Sequence, residues 1–501
     1  MSDTTSPQGA TPPQIISFDE IPNNVEVPGT YIETKVNYSQ SGLLPYKAKA
    51  LIIGQMLSSG IAKPNVAYPL YTAPQAENLF GIGSIAAQMA AAFIHANPYV
   101  AVDIMGVPDA VSAAKASQTV TIGGTATAAG TLPVYAQGQR VPVAVNVGDT
   151  AAVVAANLLA GLQGAALESS ETESGAVITV TALHGGTLGN TLDLRVNYQP
   201  GDTIPAGLTV TITAMTGGAT DPTITGALNA IAASWYSDIV MCWVDPTNVG
   251  LLEAALEGRY NAMSKLDAHA YGALGMSYGA GLANQASLNS RFRSVLLVQN
   301  APQPAWMWAA CFAGVCSYYL AQDPARQLRG LALPGLLAPA PADRFDWTER
   351  NLLLADGIST FDVEIDGTVT LEKVVTENLT DAAGIPTTAW HDIMAPKVNS
   401  RIKYDWISFN GVTYPRNKLA DDNTIAAEYD PSVATPRRIK SSWAGRSMLY
   451  EQYGWIENSQ ATAAQSYFVR DLTDRNRLNC RLQYNRIGNL MVEAVSLEFQ
   501  A

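Results

Sequence analysis

Strand-like and helix-like segments alternate in two separate blocks of this chain, and that alternation restricts the fold more than any other feature. In the first block, residues 47–54 read as a buried strand stopping at Gly54. Residues 72–96 read as helical, with an Ala-rich centre at 85–94, and residues 99–105 as a second strand. This is a βαβ unit. The second block runs helix (226–236), strand (239–244), a turn and helix cap at Asp245-Pro246-Thr247-Asn248, helix (249–263), weaker strand (268–274), helix (282–292), strand (294–299) and an apolar helix (306–320). Strands joined through helices give a largely parallel sheet covered on both faces. Residues 37–107 plus 225–330 are therefore predicted to form one discontinuous α/β core domain.

The interruption, residues 108–224, has a different texture. It is rich in Thr, Val, Gly and Ala, with alternating strands at 120–122, 141–145, 176–181, 192–196 and 208–213. One helix, capped at Asp149-Thr150, runs from 151 to 162. Lys115, Arg140 and Arg195 are its only Lys or Arg residues. Such a stretch predicts an inserted β-rich domain placed outward, because nearby termini permit insertion into a loop. A Pro-rich linker at 333–341 follows. Beyond it come a helix (348–356) ending at Gly357, a hairpin around Asp366-Gly367, mainly helical stretches at 387–409 and 436–453, and strands at 478–483 and 490–499. Residues 331–489 thus read as an α+β C-terminal domain, giving an α/β and α+β multidomain protein overall.

Two segments do not fit the usual behaviour of chain ends. Residues 1–26 read as a Ser/Thr/Pro-rich arm, and Val27 to Val36 as a strand entered through Pro28-Gly29, carrying Tyr31 and Ile32. Residues 490–499 alternate, with Val495, Leu497 and Phe499 on one face and Ala494, Ser496 and Glu498 on the other. Unpaired sticky strands invite aggregation unless another chain pairs with them. Gly29, Tyr31, Ile32, Val36, Val492, Val495, Leu497 and Phe499 are accordingly predicted to lie at inter-subunit joints, as two terminal arms (1–36 and 490–501).

Charge adds a direction. The net charge of −13 argues against a general nucleic-acid binder. From Pro396 onward, however, 14 Lys and Arg stand against 11 Asp and Glu, leaving −16 for the rest of the chain. Arg437, Arg438 and Lys440 open a helix and are either a solvated face or a contact for an acidic partner.

Chemistry is hard to find. There is no P-loop and no nucleophile elbow; Gly279-Ala280-Gly281 lacks the third glycine of a dinucleotide loop and reads as a turn before a helix. His95, His184, His269 and His391 are scattered and read as structural. Cys242, Cys311 and Cys316 lie in apolar runs, and no Cys spacing indicates a metal or a disulfide framework, so a reducing compartment is expected. No secretory signal is read at the N-terminus. The apolar stretch at 306–321 falls short of the ~20 residues that span a bilayer. No cofactor, metal or catalytic residue is predicted.

Three stretches carry a family resemblance. Val27-Pro28-Gly29-Thr30-Tyr31-Ile32-Glu33, followed by residues 47–54, is similar to an opening arm and first core strand. Arg344-Phe345-Asp346-Trp347-Thr348-Glu349-Arg350-Asn351, running on through Asp366-Gly367-Thr368, is the most specific. Residues 475–482, with the ending to Phe499, are the third. Together they resemble the contractile phage tail sheath proteins of the Mu-like group. The resemblance implies a structural, non-enzymatic homo-oligomer of stacked hexameric rings around a tail tube. It also implies terminal strands exchanged between subunits, contraction without nucleotide hydrolysis, and baseplate and tail terminator partners. A virion location after assembly in the host cytoplasm follows, with no nucleic acid bound and no direct membrane insertion. The C-terminal domain would face the tube, where Arg437, Arg438 and Lys440 would suit an acidic surface. The competing readings are an α/β enzyme with a carbohydrate-binding β insertion, and another tail or baseplate component.

Overall fold

The computed structural model describes residues 21, 24–32, 42–199 and 201–500, and these form a mixed α/β protein with several sheets. The first block gives β1 (Lys49–Met56), β2 (Ala67–Leu70), α1 (Ala73–Phe80), α2 (Ile85–Ala96) and β3 (Ala101–Pro108). β1 and β3 pair in parallel from Lys49↔Ala101 to Met56↔Pro108. Seven of the eight β1 residues are buried, as expected of a strand with both faces covered. A Cβ on Gly54 would come within 2.7 Å of the Ala86 backbone, so the glycine lets α2 lie directly on the sheet. Ser84 caps α2 by accepting from the Ala87 amide at 3.2 Å.

The interruption supplies β4 (Lys115–Gly124), β5 (Gly130–Ala136), β6 (Gln139–Val145), α3 (Ala151–Gln163), β7 (Ser169–Ser174), β8 (Val177–Gly185), β9 (Leu194–Val196) and β10 (Leu208–Ile212). They make a four-stranded sheet, β10-β4-β8-β7, and a three-stranded one, β6-β5-β9. Both sheets share with α3 an apolar cluster of their own, including Leu132, Val143, Leu158 and Ile178. β7, with the sequence Ser-Ser-Glu-Thr-Glu-Ser, carries no apolar signal because it is an edge strand.

The alternation then resumes with α4 (Thr225–Ala230), β11 (Asp238–Met241), α5 (Pro246–Tyr260), β12 (His269–Leu274), α6 (Tyr278–Gln285), β13 (Arg293–Leu297) and α7 (Ala305–Gln322). β11 joins β1 on the side opposite β3, completing the order β13-β12-β11-β1-β3-β2; only β2 is antiparallel. Asp245 caps α5 through the Asn248 amide at 3.0 Å, and Pro246 occupies the first turn. α7 is the apolar helix at 306–320, with Trp306 bonded to Gln88 of α2, Phe312 against Tyr271 of β12, and Trp308 buried against Phe361. No helix among the described residues is long and apolar enough to cross a membrane.

Several helices differ from expectation; the stretch predicted at 387–409, for one, becomes helical only at Met394. The predicted 226–236 helix stops at Ala230. The one placed at 282–292 is α6, which begins four residues earlier and includes Gly279 and Gly281 rather than following them as a turn. Gly281 is required inside it, since a Cβ there would lie 2.6 Å from the Leu297 side chain. Residues beyond Gln285 turn away so that the Asn289 side chain can bind the backbone amides of Leu379 at 2.8 Å and Thr380 at 3.0 Å.

The remaining elements are α8 (Trp347–Ala355), β14 (Thr360–Val363), β15 (Val369–Lys373), α9 (Met394–Thr413), β16 (Lys418–Leu419), α10 (Ile425–Tyr429), β17 (Val433–Ala434), α11 (Pro436–Gln452), β18 (Ile456–Glu457), α12 (Ser459–Gln465), β19 (Tyr467–Arg470), β20 (Leu478–Arg481) and β21 (Asn485–Arg486). Asp346 and Glu349 form a capping box on α8. Phe361, Val369, Leu371 and Val374 join the main core. A separate cluster, built on Val398, Ile402, Trp443, Tyr450, Trp455 and Ile456, gathers α9, α11 and the elements after them.

Candidate assembly surfaces

The end segments, expected to be strands, have no ladder partner among the described residues. Residues 24–32 and 487–500 carry no strand. A strand is defined by its neighbour, and neither segment meets a sheet edge among the described residues. Val27, Tyr31 and Ile32 are exposed, and the Tyr31 hydroxyl donates to the Val27 carbonyl at 3.0 Å, a local turn around Gly29. Val36 lies outside the described residues.

The C-terminal segment is more exposed still. Val492, Val495, Leu497 and Phe499 show between 73 and 93% of their surfaces to solvent. Among the described residues the segment is tethered only at its root. There the Gln327 side-chain amide donates to the Leu490 carbonyl at 2.6 Å, and Met491 packs on the main core. Beyond Met491 the apolar face of the alternation covers nothing among the described residues.

A second surface is the hairpin β19–β20. Its four pairs, Tyr467↔Arg481 to Arg470↔Leu478, form a sheet of two strands, with nothing paired to either outer edge among the described residues. Phe468 packs inward on the Trp443–Trp455 cluster, whereas Tyr467 and Val469 point to solvent. A lone two-stranded ribbon is marginal in water, so this one depends on α11 beneath it.

The three basic residues at the start of α11 are not equivalent. The Arg438 guanidinium donates to the carbonyls of Pro431 at 2.8 Å and Val433 at 3.0 Å, and the Lys440 ammonium to that of Ala464 at 2.8 Å. Both hold neighbouring segments of their own chain. Arg437 is exposed, and its backbone amide donates to Asp422. Arg437 and Arg438 border a surface groove of about 530 Å³ together with Asp422, Glu428 and Asp430. The groove is of mixed charge, not a uniformly basic patch.

The titratable groups singled out by sequence are engaged structurally. His269 is buried with Nε2 2.9 Å from the Ser294 hydroxyl, and burial drives its pKa well below the ordinary value. His184 sits between Asp109 (Nδ1 to Oδ1, 2.9 Å) and the Ile85 amide. Its own amide donates to Glu168 at 2.7 Å, and burial pushes the Glu168 carboxyl up to about 8. Cys242, Cys311 and Cys316 are buried thiols, and Cys480 is exposed. Among the described residues no three His, Cys, Asp or Glu side chains are grouped to hold a metal.

Sequence reasoning missed the buried ion pairs. Arg293 on β13 meets Glu377, Lys397 on α9 meets Asp238 of β11 at 2.5 Å, and Arg446 on α11 meets Asp405 on α9. Removing one partner of such a pair is strongly destabilising, because it strands a buried charge. No composition or periodicity signal marks them, since the partners lie 84, 159 and 41 residues apart.

No protein-family model matches the sequence. The chain is 32% identical, over 97% of its own length and 99% of the relative's, to the Mu-like prophage FluMu tail sheath protein of Haemophilus influenzae. Two solved structures are similar at far lower identity. One is a sheath tail protein of Desulfitobacterium hafniense (12% identity, TM-score 0.47, 92% of this chain and 100% of that one). The other is a sheath tail protein of Listeria innocua (12%, TM-score 0.48, 89% and 93%). Family membership rests on the full-length H. influenzae relative, and by it the chain belongs to the Mu-like phage tail sheath proteins.

Proposed function

We propose that the chain is the repeating subunit of a contractile tail sheath, polymerising as stacked hexameric rings around a tail tube and linked by exchange of its terminal strands. The observation that carries this reading is the segment 492–499, with an alternating apolar face almost wholly in solvent and no ladder partner among the described residues. Strand addition to a neighbouring subunit supplies both the main-chain hydrogen bonds and the cover that this face lacks. Gly29, Tyr31, Ile32 and Val36 serve the same purpose at the other arm. The receiving edge is the ribbon β19–β20, whose free edges and exposed Tyr467 and Val469 suit added strands.

A head-to-tail contact whose rotation does not close generates a helical filament. Energy is then held as the difference between two packings of one assembly, so contraction proceeds without a catalytic group. In this arrangement the discontinuous α/β domain (37–107 plus 225–330) forms the body and the inserted domain (108–224) faces outward. The C-terminal domain (331–489) faces the tube, with Arg437, next to Arg438 and Lys440, as one of its exposed cations. Baseplate and terminator proteins bound the stack, which is built in the host cytoplasm and carried in the virion.

Negative-stain microscopy of the purified full-length protein tests the proposal. The expected result is tubes or cylinders, and discrete particles at all concentrations would refute it. Removing residues 1–36 or 490–501 should leave a folded subunit that no longer forms long tubes. Normal tubes from either truncation would refute the role given to that arm.

A further inference from the structure

The residues leading from the N-terminal arm into β1 are gripped from far along the chain. The Leu44 amide donates to Asp405 Oδ1 at 3.2 Å, across 361 positions of sequence. Arg446 Nη1 donates to the Gly42 carbonyl at 3.2 Å, Arg401 Nη2 to the Leu44 carbonyl at 3.2 Å, and the Tyr404 hydroxyl to the Pro45 carbonyl at 3.1 Å. Leu43 packs on the Trp443–Trp455 cluster, and the Arg401 guanidinium lies 4.6 Å from the Tyr46 ring centre. All four gripping side chains come from α9 or α11.

Asp405 is at the centre. It is fully buried, and it accepts from Arg446 through Nε at 3.0 Å and Nη2 at 2.5 Å, and from the Tyr450 hydroxyl at 2.6 Å. The carboxylate is thus fixed before it meets Leu44, and a charge-assisted hydrogen bond in a dry setting is among the stronger ones available. The chain leaves the same cluster at the other end. Ile487 packs on it and donates its amide to the Trp455 carbonyl at 3.2 Å, three residues before the Leu490 tether.

We propose that Asp405 and Arg446 form a clamp that makes the root of the N-terminal arm, residues 42–46, part of the α9–α11 module, on which the chain also packs at Ile487 just ahead of the C-terminal arm. A pull on the N-terminal arm is then taken up by this module before it reaches β1 and the six-stranded sheet, and passes on through Ile487 to the C-terminal arm, whose root Gln327 and Met491 also tie to the main core. Asp405, Arg446, Arg401 and Tyr404 are positioning residues in this account, and the clamp's mechanical meaning rests on the arm-exchange reading above.

The test uses full-length protein with two substitutions that reach the clamp from opposite sides. Asp405→Asn weakens the carboxylate, and Leu44→Pro removes the amide donor while leaving Asp405, Arg446 and Tyr450 in place. Lys47 is exposed just beyond the grip, so tryptic cleavage after it in the unassembled subunit reports release of the arm root. Both variants should be cut there at least tenfold faster than wild type, and their assembled tubes should come apart at lower urea. If Asp405→Asn does not fold, Leu44→Pro alone decides. Wild-type cleavage at Lys47 in every variant that folds overturns the clamp. So do tubes that resist urea as wild type does despite faster cleavage, provided that deletion of residues 1–36 abolishes tubes. If that deletion leaves tubes normal, the arm-exchange reading fails instead, and the cleavage rate still decides whether the clamp exists.

Discussion

Replacing Leu497 by Ala isolates the contribution of the C-terminal arm to assembly. In the single chain Leu497 is 93% exposed, so the substitution removes almost no burial there and should leave the melting temperature of the unassembled subunit unchanged. In an exchanged strand the same side chain faces a neighbour. Truncating Leu to Ala deletes three carbon groups at about 0.8 kcal/mol each, or about 2.4 kcal/mol per joint. At about 1.4 kcal/mol per tenfold, this weakens each joint roughly 50-fold. The assay is the concentration at which tubes first sediment. Ser496→Ala, on the opposite face of the alternation, is the matched control and should move that concentration little. Equal assembly by Leu497→Ala and wild type would refute the reasoning, as would equal damage from the Ser496 control, because the argument depends on the two-residue period.

Three further outcomes follow from particular contacts. Glu168 has its pKa raised by burial to about 8 from an ordinary value near 4.5, and its Oε2 has no hydrogen-bond partner among the described residues. The fold therefore prefers the protonated acid; that preference is fully expressed below about pH 4.5 and lost as pH rises through 8. Glu168→Gln should stabilise the subunit by a few kcal/mol at pH 8.5 and by little at pH 4.5, read as the difference from wild type in urea titrations; a pH-independent difference would contradict this. Gly54→Ala forces a Cβ within 2.7 Å of the Ala86 backbone and should cost about 1–3 kcal/mol by overpacking, seen as a lower urea midpoint; an unchanged midpoint would show that α2 can shift. Arg437→Glu should weaken co-sedimentation with tail tubes, more at low than at high salt, with no change in subunit stability; unaltered co-sedimentation removes Arg437 from the tube face.

The sequence made the main sheet legible because its strands are fully buried and read as continuous apolar runs: Ala50 to Ile53 and Val295 to Leu297 could be little else. The helix start at Asp245 was equally plain, whereas the caps at Ser84, inside what read as one helical stretch, and at Asp346 were not read. Nor were polar edge strands. β7 has no apolar alternation, and β2 contains Pro69, which usually argues against a strand interior. The α6 boundary was misplaced because the signal ending the helix is tertiary: Asn289 serves a loop about 90 positions away. At the assembly surfaces, alternation at 495–499 revealed an unusual strand candidate, but nothing local could reveal the grip of Asp405 on Leu44. Nor could counting charges near α11 show that Arg438 and Lys440 are spent on carbonyls of their own chain.

The central claim is that residues 492–499 become a strand only in the company of another subunit. A density map of the assembled sheath, traced through those residues, tests it most directly. The account predicts that they lie in an extended ladder on a neighbouring subunit's sheet, with Val495, Leu497 and Phe499 turned toward that neighbour and Ser496 and Glu498 away. A segment folded back onto its own subunit, or projecting unpaired from the assembled sheath, would contradict it.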